Sequence, residues 1–425
     1  MTSRDHGKAS RRGFLKGVGV AAAAGASLRA TDAAAAVAKH EQLQPVTSIE
    51  PFHGLHQAGI LTAPQHQTYF AAFDIITDKP DAVRTILRNW TAAAEQLSRG
   101  QAVEQPANDT YAVGGDTAEA MDLAPARLTL TFGFGPGLFI KDGKDRFGLA
   151  ARRPEALIDL PRFAGDQLVE GHTGGDLSVQ ACADDPQVAF HAVRQLARLA
   201  SGVAALRWTQ TGFLPNTPSG KSPRNLMGFR DGTNNPSVGD TDAMQKFIWA
   251  DAPGWMNGGS YLVARRIRIA LEHWDRMALN IQEQYIGRQK YSGAPLGAHA
   301  EHDPVNLEAT DKDGNFVIAG NAHVRLANEA SNDGARILRR SYSYNDGANF
   351  VAERWPPWRQ GVEYDAGLFF ACYQRDPRTG FVKIFDRMAK LDMMNQFVTH
   401  VGGGLFACPG GIAPGEFIGQ RLFDA

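Results

Sequence analysis

The chain has 425 residues, 44 basic against 45 acidic side chains and a formal net charge of −1. With no run of like charges, that balance excludes an electrostatic case for nucleic acid or an anionic membrane surface. Three cysteines, Cys182, Cys372 and Cys408, are too few and too widely spaced for a disulfide framework, a thioredoxin-type pair, a structural zinc site of ordinary spacing or a thioether-linked haem.

Ser10-Arg11-Arg12-Gly13-Phe14-Leu15-Lys16 leads into a weakly apolar stretch rich in alanine and glycine, from Gly17 to Ala26. This is the pattern of a twin-arginine export signal. The apolar run is too short to span a bilayer, which takes about twenty residues, so no stable membrane insertion is expected. Ala33 to Ala36 offer small-residue cleavage positions, and residues 1–40 are read as signal peptide and cleavage region. The protein is expected in the periplasm, or outside the cell where there is no outer membrane. Export in the folded state suits a chain that takes up a cofactor first.

Residues 41–425 are too many for one small core and suit two domains. The strand predicted over Tyr69–Ile76 precedes a helix from Pro80 to Leu97. Leu177-Ser178-Val179-Gln180-Ala181-Cys182 then runs into Asp185-Pro186 and a helical pattern with Phe190 and Val193. The order returns later, with a strand over Tyr261–Leu271, a helix from His273 to Gly287, and Leu368-Phe369-Phe370-Ala371-Cys372 before Asp376-Pro377, Phe381 and Ile384. In both copies the Asp suits a helix N-cap and the Pro its first turn. Strand, helix and further strands, twice over, predict two α+β units, although composition alone leaves an α/β fold open. Pro215, Pro218, Gly220 and Pro223 put the boundary within Gly212–Pro223, giving domains 41–218 and 219–425.

The most informative stretch is Asn225-Leu-Met-Gly-Phe-Arg-Asp-Gly-Thr-Asn-Asn-Pro236. Gly228, Gly232 and the Asn234-Asn235-Pro236 stop leave no room for a helix or a long strand, so Arg230 and Asp231 sit on a tight connection whose backbone can approach a ligand. Downstream come Asn321-Ala322-His323-Val324-Arg325-Leu326-Ala327-Asn328 and Ile337-Leu338-Arg339-Arg340-Ser341-Tyr342-Ser343-Tyr344. Three other features are weaker. Asp311-Lys312-Asp313-Gly314-Asn315 begins like a calcium loop but has Phe316 and Ala322 where the required Gly and Glu would stand, and reads better as a D-G turn. His299-Ala300-Glu301-His302-Asp303 is read as a solvated loop rather than a metal site. Gly402-Gly403-Gly404 is read as a chain turn, since no G-K-[ST] follows to make a phosphate loop.

Taken together, G-F-R-D-G-T, H-x-R-L-A-N and L-R-R-S-Y-S-Y resemble the dye-decolorizing peroxidases, and within them the exported deferrochelatase/peroxidase group, from about Phe52 to the C-terminus. His53 and His56 fall in a stretch similar to the family's G-x-H-Q-A-G-I motif, with a structural role favoured. The resemblance implies two ferredoxin-like domains of the dimeric α/β-barrel type, their antiparallel sheets packed together with helices outside. It further implies one non-covalent haem b per chain, bound mainly by the second domain, and oxidation of dyes and phenols by hydrogen peroxide through a ferryl species.

Matched by position, His323 is the proximal iron ligand, Asp231 the distal acid–base residue and Arg339 the distal cation. Gly232, Thr233, Asn234 and Asn328 would line the haem edge, and Arg340 is left to a surface or haem-propionate salt bridge. Where the family has A-N-P-R this chain has Ala327-Asn328-Glu329-Ala330, which removes one expected propionate contact. A carboxylate in place of a distal imidazole, with reference values of about 3.9 and 6.5, predicts an acidic activity optimum. Two other functions stay open: release of iron from haem with the porphyrin intact, alongside components of an iron-uptake permease, and non-enzymatic haem carriage. A homo-oligomer also stays open. Trp355 and Trp358 are read as packing residues, with surface relay of oxidising equivalents to bulky dyes as the alternative.

Overall fold

The computed structural model describes residues 46–104, 111, 113–353 and 359–424, so the signal region, Trp355 and Trp358 lie outside the described residues. Among the described residues nine strands build the frame: β1 (Gln67–Ile75), β2 (Thr129–Phe134), β3 (Leu177–Ala183), β4 (Ala204–Phe213), β5 (Ser260–Ile269), β6 (Leu338–Arg339), β7 (Tyr342–Glu353), β8 (Arg359–Gln374) and β9 (Val398–Cys408). The helices among the described residues are α1 (Pro80–Ser98), α2 (Pro186–Leu199), α3 (Thr241–Phe247), α4 (Leu271–Trp274), α5 (Leu279–Ile286), α6 (His323–Ala327), α7 (Phe381–Leu391) and α8 (Gln420–Asp424). None is long and apolar enough to cross a membrane.

In the first half the strands lie in the order β2, β3, β1, β4, and in the second half β7, β8, β5, β9, all antiparallel. With a helix after the first and third strand of each set, both halves are ferredoxin-like βαββαβ units. Their edges meet at Phe134 opposite Ala407 and at Phe213 opposite Ser343, which closes the sheet into a barrel. Closure removes the unpaired edges that an open sheet would expose. It also leaves β3 buried at every position, with Leu177, Val179, Ala181 and Ala183 in an apolar cluster on one face and Ser178 and Gln180 on the other.

Packing follows from the helical periodicity. α1 buries Val83, Ile86, Leu87, Trp90, Ala94 and Leu97 on the sheet, and the Trp90 indole N–H donates to the Leu196 carbonyl at 2.8 Å, tying α1 to α2. Asp185 caps α2 as expected, accepting from the Gln187 and Val188 amides. The second copy departs: Asp376 accepts from Arg378 N within a turn, and α7 starts only at Phe381. The repeat held the strand-to-helix order, but the Gln374 side chain takes the Phe381 amide at 2.6 Å and replaces the Asp cap.

The helix expected over His273–Gly287 is two. Trp274 ends α4 by burying fully beneath Phe229 and Phe397. Its carbonyl is taken by the Gln282 side chain at 2.8 Å, while extended Ala278 restarts the chain as α5.

Gly402-Gly403-Gly404 is also corrected: it lies inside β9, not in a turn. The glycines are there because neighbouring chain passes close by. Gly403 has φ +145°, and a Cβ on it would come within 2.2 Å of the Ala264 carbonyl oxygen. Gly403→Ala is expected to cost about 3 kcal/mol or more, read as a lower midpoint of denaturant unfolding at unchanged slope.

Candidate active site

Every residue lining one large cavity falls between Asn225 and His400, and the cavity holds about 1690 Å³ of open space including its mouth. Its walls are apolar, with Ile267, Leu368, Phe370, Ile384 and Phe385 among them. Asp231, Gly232, Thr233, Asn234, His323, Asn328 and Arg339 all line it, so the structure brings the whole sequence-predicted set together.

Asp231 is held by its loop. Its amide donates to the Pro223 carbonyl at 2.8 Å, and Gly232 follows with φ +92°, a conformation that suits glycine. Arg339 Nη1 donates to Asp231 Oδ1 at 2.7 Å. Asn235 fixes that arginine from behind: its Nδ2 donates to the Arg339 carbonyl at 2.8 Å and its Oδ1 accepts the Arg339 amide at 3.2 Å. The sequence reading took Asn235 only as part of a chain stop, and nothing local marks it as a clamp on a strand 104 residues away.

Arg339 ends β6 and Arg340 lies just beyond it, and the two side chains part: Arg339 lines the cavity and Arg340 does not. Arg340 is buried, 4% exposed, and donates to the Thr62 carbonyl and Gln65 Oε1. It is neither a surface residue nor a cavity residue, which corrects the expected propionate or surface pairing.

His323 opens α6, and its Nδ1 lies 2.7 Å from Asp392 Oδ2. Asp392 is buried and is itself steadied by the Met394 amide on Oδ1 at 2.9 Å. Burial would depress the His323 pKa, but the charge and hydrogen bond of Asp392 outweigh it and raise the group above its ordinary value. The charges of Asp231 and Arg339 also reach it. With Nδ1 engaged, Nε2 is the nitrogen left for a ligand. Asp392 is the acceptor the sequence could not identify, because 69 residues separate the pair.

At the cavity rim Asn328 accepts from the Ala330 amide at 2.9 Å, and Glu329 pairs with Arg336 Nε at 3.0 Å. Both Glu329 and Arg336 line the cavity and Ala330 does not, so Arg336 supplies a cation near the place where the family's arginine is missing. Arg288 and His400 line the cavity too and escaped the sequence reading. Burial, reinforced by the charge of Arg265, pushes His400 down to about 3, so it is neutral.

The weaker motifs resolve without a metal. Thr310 bridges to Phe316 around a D-G turn with Gly314 at φ +82°. Among the described residues no cluster of three or more His, Cys, Asp or Glu side chains is arranged to hold a metal ion. His56 stacks on Trp249 with ring centroids 3.5 Å apart and donates from Nδ1 to the Gly258 carbonyl at 2.7 Å, a packing role. In His299–Asp303 the loop is solvated except for Glu301, which is 2% exposed and turned inward. That corrects the expectation of a loop solvated throughout.

A duplicated ferredoxin-like barrel with a large apolar cavity lined by a histidine–aspartate pair and an aspartate–arginine pair defines a class of cofactor-dependent redox protein. Residues 57–214 match the family described as Dyp-type peroxidase, N-terminal, and residues 222–413 match Dyp-type peroxidase, C-terminal. The chain belongs to the Dyp-type peroxidase family. It is 36% identical to a dye-decolorizing peroxidase of Thermobifida fusca over 98% of this chain and 97% of that one. It is 35% identical to a deferrochelatase of Escherichia coli O157:H7 over 97% and 96%. The ferric form of DtpA from Streptomyces lividans superposes with a TM-score of 0.80 at 40% identity, covering 89% of this chain and 98% of that one.

Proposed function

We propose that this protein is an exported haem b peroxidase in which His323 holds the iron, Asp231 moves the proton of hydrogen peroxide and Arg339 steadies the developing charge. The observation that carries the reading is the assembly of the His323–Asp392 and Asp231–Arg339 pairs on one apolar cavity. The residues fit such a group: an imidazole with one free nitrogen, apolar walls for the macrocycle, and arginines at the rim for its carboxylates. Gly232, Thr233, Asn234 and Asn328 contribute the remaining polar lining. One haem, held without covalent links, supplies redox-active iron when bound.

The chain's own residues do the rest. Asp231 accepts a proton from one peroxide oxygen and returns it to the other, which leaves as water. The Arg339 guanidinium orients the peroxide and offsets the negative charge of bond cleavage. Asp392 orients the His323 ring and raises its basicity. Because a carboxylate carries the proton, an activity optimum on the acidic side is part of the proposal. The organic donors are dyes and phenols. Arg11-Arg12 support export by the twin-arginine route, and domains 41–218 and 219–425 are the proposed division.

The test is the absorption spectrum of the haem-loaded protein on adding one equivalent of hydrogen peroxide. The Soret band should shift and then return when a reducing dye is added. A band indifferent to peroxide would overturn the peroxidase reading and leave haem carriage. The identity with the E. coli deferrochelatase favours iron release as the second reading, tested by assaying free porphyrin, with iron-uptake components as partners.

A further inference from the structure

We propose that Glu301 is a positioning residue for the peroxide reaction, acting through the Asp231 loop and through Arg288. The inference rests on the reading of Asp231 as the proton-moving group.

Glu301 grips both ends of the segment that carries Asp231. Its Oε1 accepts the Ser222 amide at 2.9 Å and the Thr233 hydroxyl at 3.3 Å. Ser222 precedes Pro223, whose carbonyl takes the Asp231 amide, and Thr233 stands two residues beyond Asp231. The Thr233 hydroxyl also lies 3.0 Å from the Ser222 hydroxyl, so the two ends meet at this carboxylate. Apart from the isolated bridge of Arg224 to Arg230, no strand or helix stiffens the segment.

The same residue reaches the cavity wall. The Glu301 carbonyl accepts from Arg288 Nη1 at 2.9 Å, and Arg288 lines the cavity. No side-chain carboxylate forms an ion pair with Arg288 among the described residues; the charge of Glu301 favours its charged form and that of Arg339 opposes it. Glu301 Oε2 lies 3.6 Å from Arg230 Nε and 3.9 Å from Lys221 Nζ without a hydrogen bond to either. One carboxylate therefore offsets Lys221, Arg230 and Arg288 together. Burial would push its pKa up, but the Ser222 hydrogen bonds and the Arg230 charge hold it below the ordinary carboxylate range.

A merely structural role accounts poorly for these contacts. A buried carboxylate with one oxygen lacking a hydrogen bond is costly compared with an apolar residue of similar volume. Apart from Lys221 and the neighbouring His302, whose Nε2 lies 3.8 Å from Oε1, its partners belong to the Asp231 segment or the cavity wall. A displacement of about 1 Å in a reacting group costs on the order of 10²-fold in rate, so the grip acts on the step that Asp231 serves.

The experiment compares wild type, Glu301→Gln and Glu301→Ala as haem-loaded proteins. Glutamine keeps an oxygen for Ser222 and Thr233 and loses the charge, whereas alanine loses both. Stopped-flow absorbance gives the second-order rate with hydrogen peroxide, and steady-state kinetics give KM and kcat for peroxide and dye separately. Azide binding to the resting protein reports on the cavity without turnover.

The peroxide rate should fall about 10²-fold in Glu301→Ala and about tenfold in Glu301→Gln, with azide affinity altered in both and KM for the dye unchanged. Wild-type peroxide rates in both variants would overturn the proposal. So would peroxide and dye steps falling in parallel with the melting temperature. A wild type indifferent to peroxide would instead bring down the underlying reading, a separate and visible result.

Discussion

Replacing Asp231 with asparagine is expected to slow the reaction with hydrogen peroxide by about 10²- to 10⁴-fold, the usual contribution of a positioned acid–base group. Asparagine has nearly the same shape and leaves the Asp231 backbone bond to Pro223 in place, so the loss isolates proton transfer. Haem uptake should be unchanged, because His323 and Asp392 are untouched. Arg339 stays in position through its two backbone bonds with Asn235. The second change, Arg339→Leu, removes the guanidinium whose Nη1 donates to Asp231 Oδ1 at 2.7 Å. Because the two side chains form one unit, the double variant should be little slower than the worse single one. Stopped-flow spectra over a range of peroxide concentrations measure all three. Equal reactivity in wild type and the double variant would return the protein to the class of haem carriers.

How far the sequence carries depends on the range of the interaction. The turn from Asn225 to Pro236 was legible because glycine and proline act on the chain locally, and Asp185 was legible as a cap because its partners are two and three residues away. The duplicated order of strands was readable from periodicity, and the barrel closure at Phe134–Ala407 and Phe213–Ser343 was not, since no local pattern encodes an edge contact. His323, Asp231 and Arg339 came from the family resemblance; composition and spacing alone would leave His323 one of twelve histidines.

Residues acting at long range escaped. Asp392 serves His323 from the start of a short 3₁₀ turn, and Glu301 serves a loop 68 residues before it. Arg340 was misread because its partners, the Thr62 carbonyl and the Gln65 side chain, lie 278 and 275 residues away in sequence and draw it from the cavity that Arg339 lines. The glycines at 402–404 were misread as a turn because tight backbone packing within a sheet and chain reversal both call for residues without a Cβ.

The second large effect lies on the other side of the cavity. His323→Ala is expected to lose the iron anchor, giving a haem that exchanges readily into apomyoglobin and an altered Soret band. Imidazole added in solution should restore much of the spectrum, because the cavity left by the side chain opens beside the liganding position. Asp392→Asn is the sharper variant: its single amide oxygen can still accept from Nδ1, which lies 2.7 Å from the carboxylate, while the Met394 amide loses its acceptor and the charge is removed. Outer partners of a metal-binding histidine typically carry about 10- to 100-fold in affinity or activity. Asp392→Asn should therefore weaken haem retention within that range and make the bound iron easier to reduce, since a less basic imidazole favours the ferric state less. His323→Ala should exceed that loss. If Asp392→Asn retained haem and reduction behaviour like wild type, the buried carboxylate would be serving only the Met393–Gln396 turn, and the basicity of His323 would have to come from the imidazole alone.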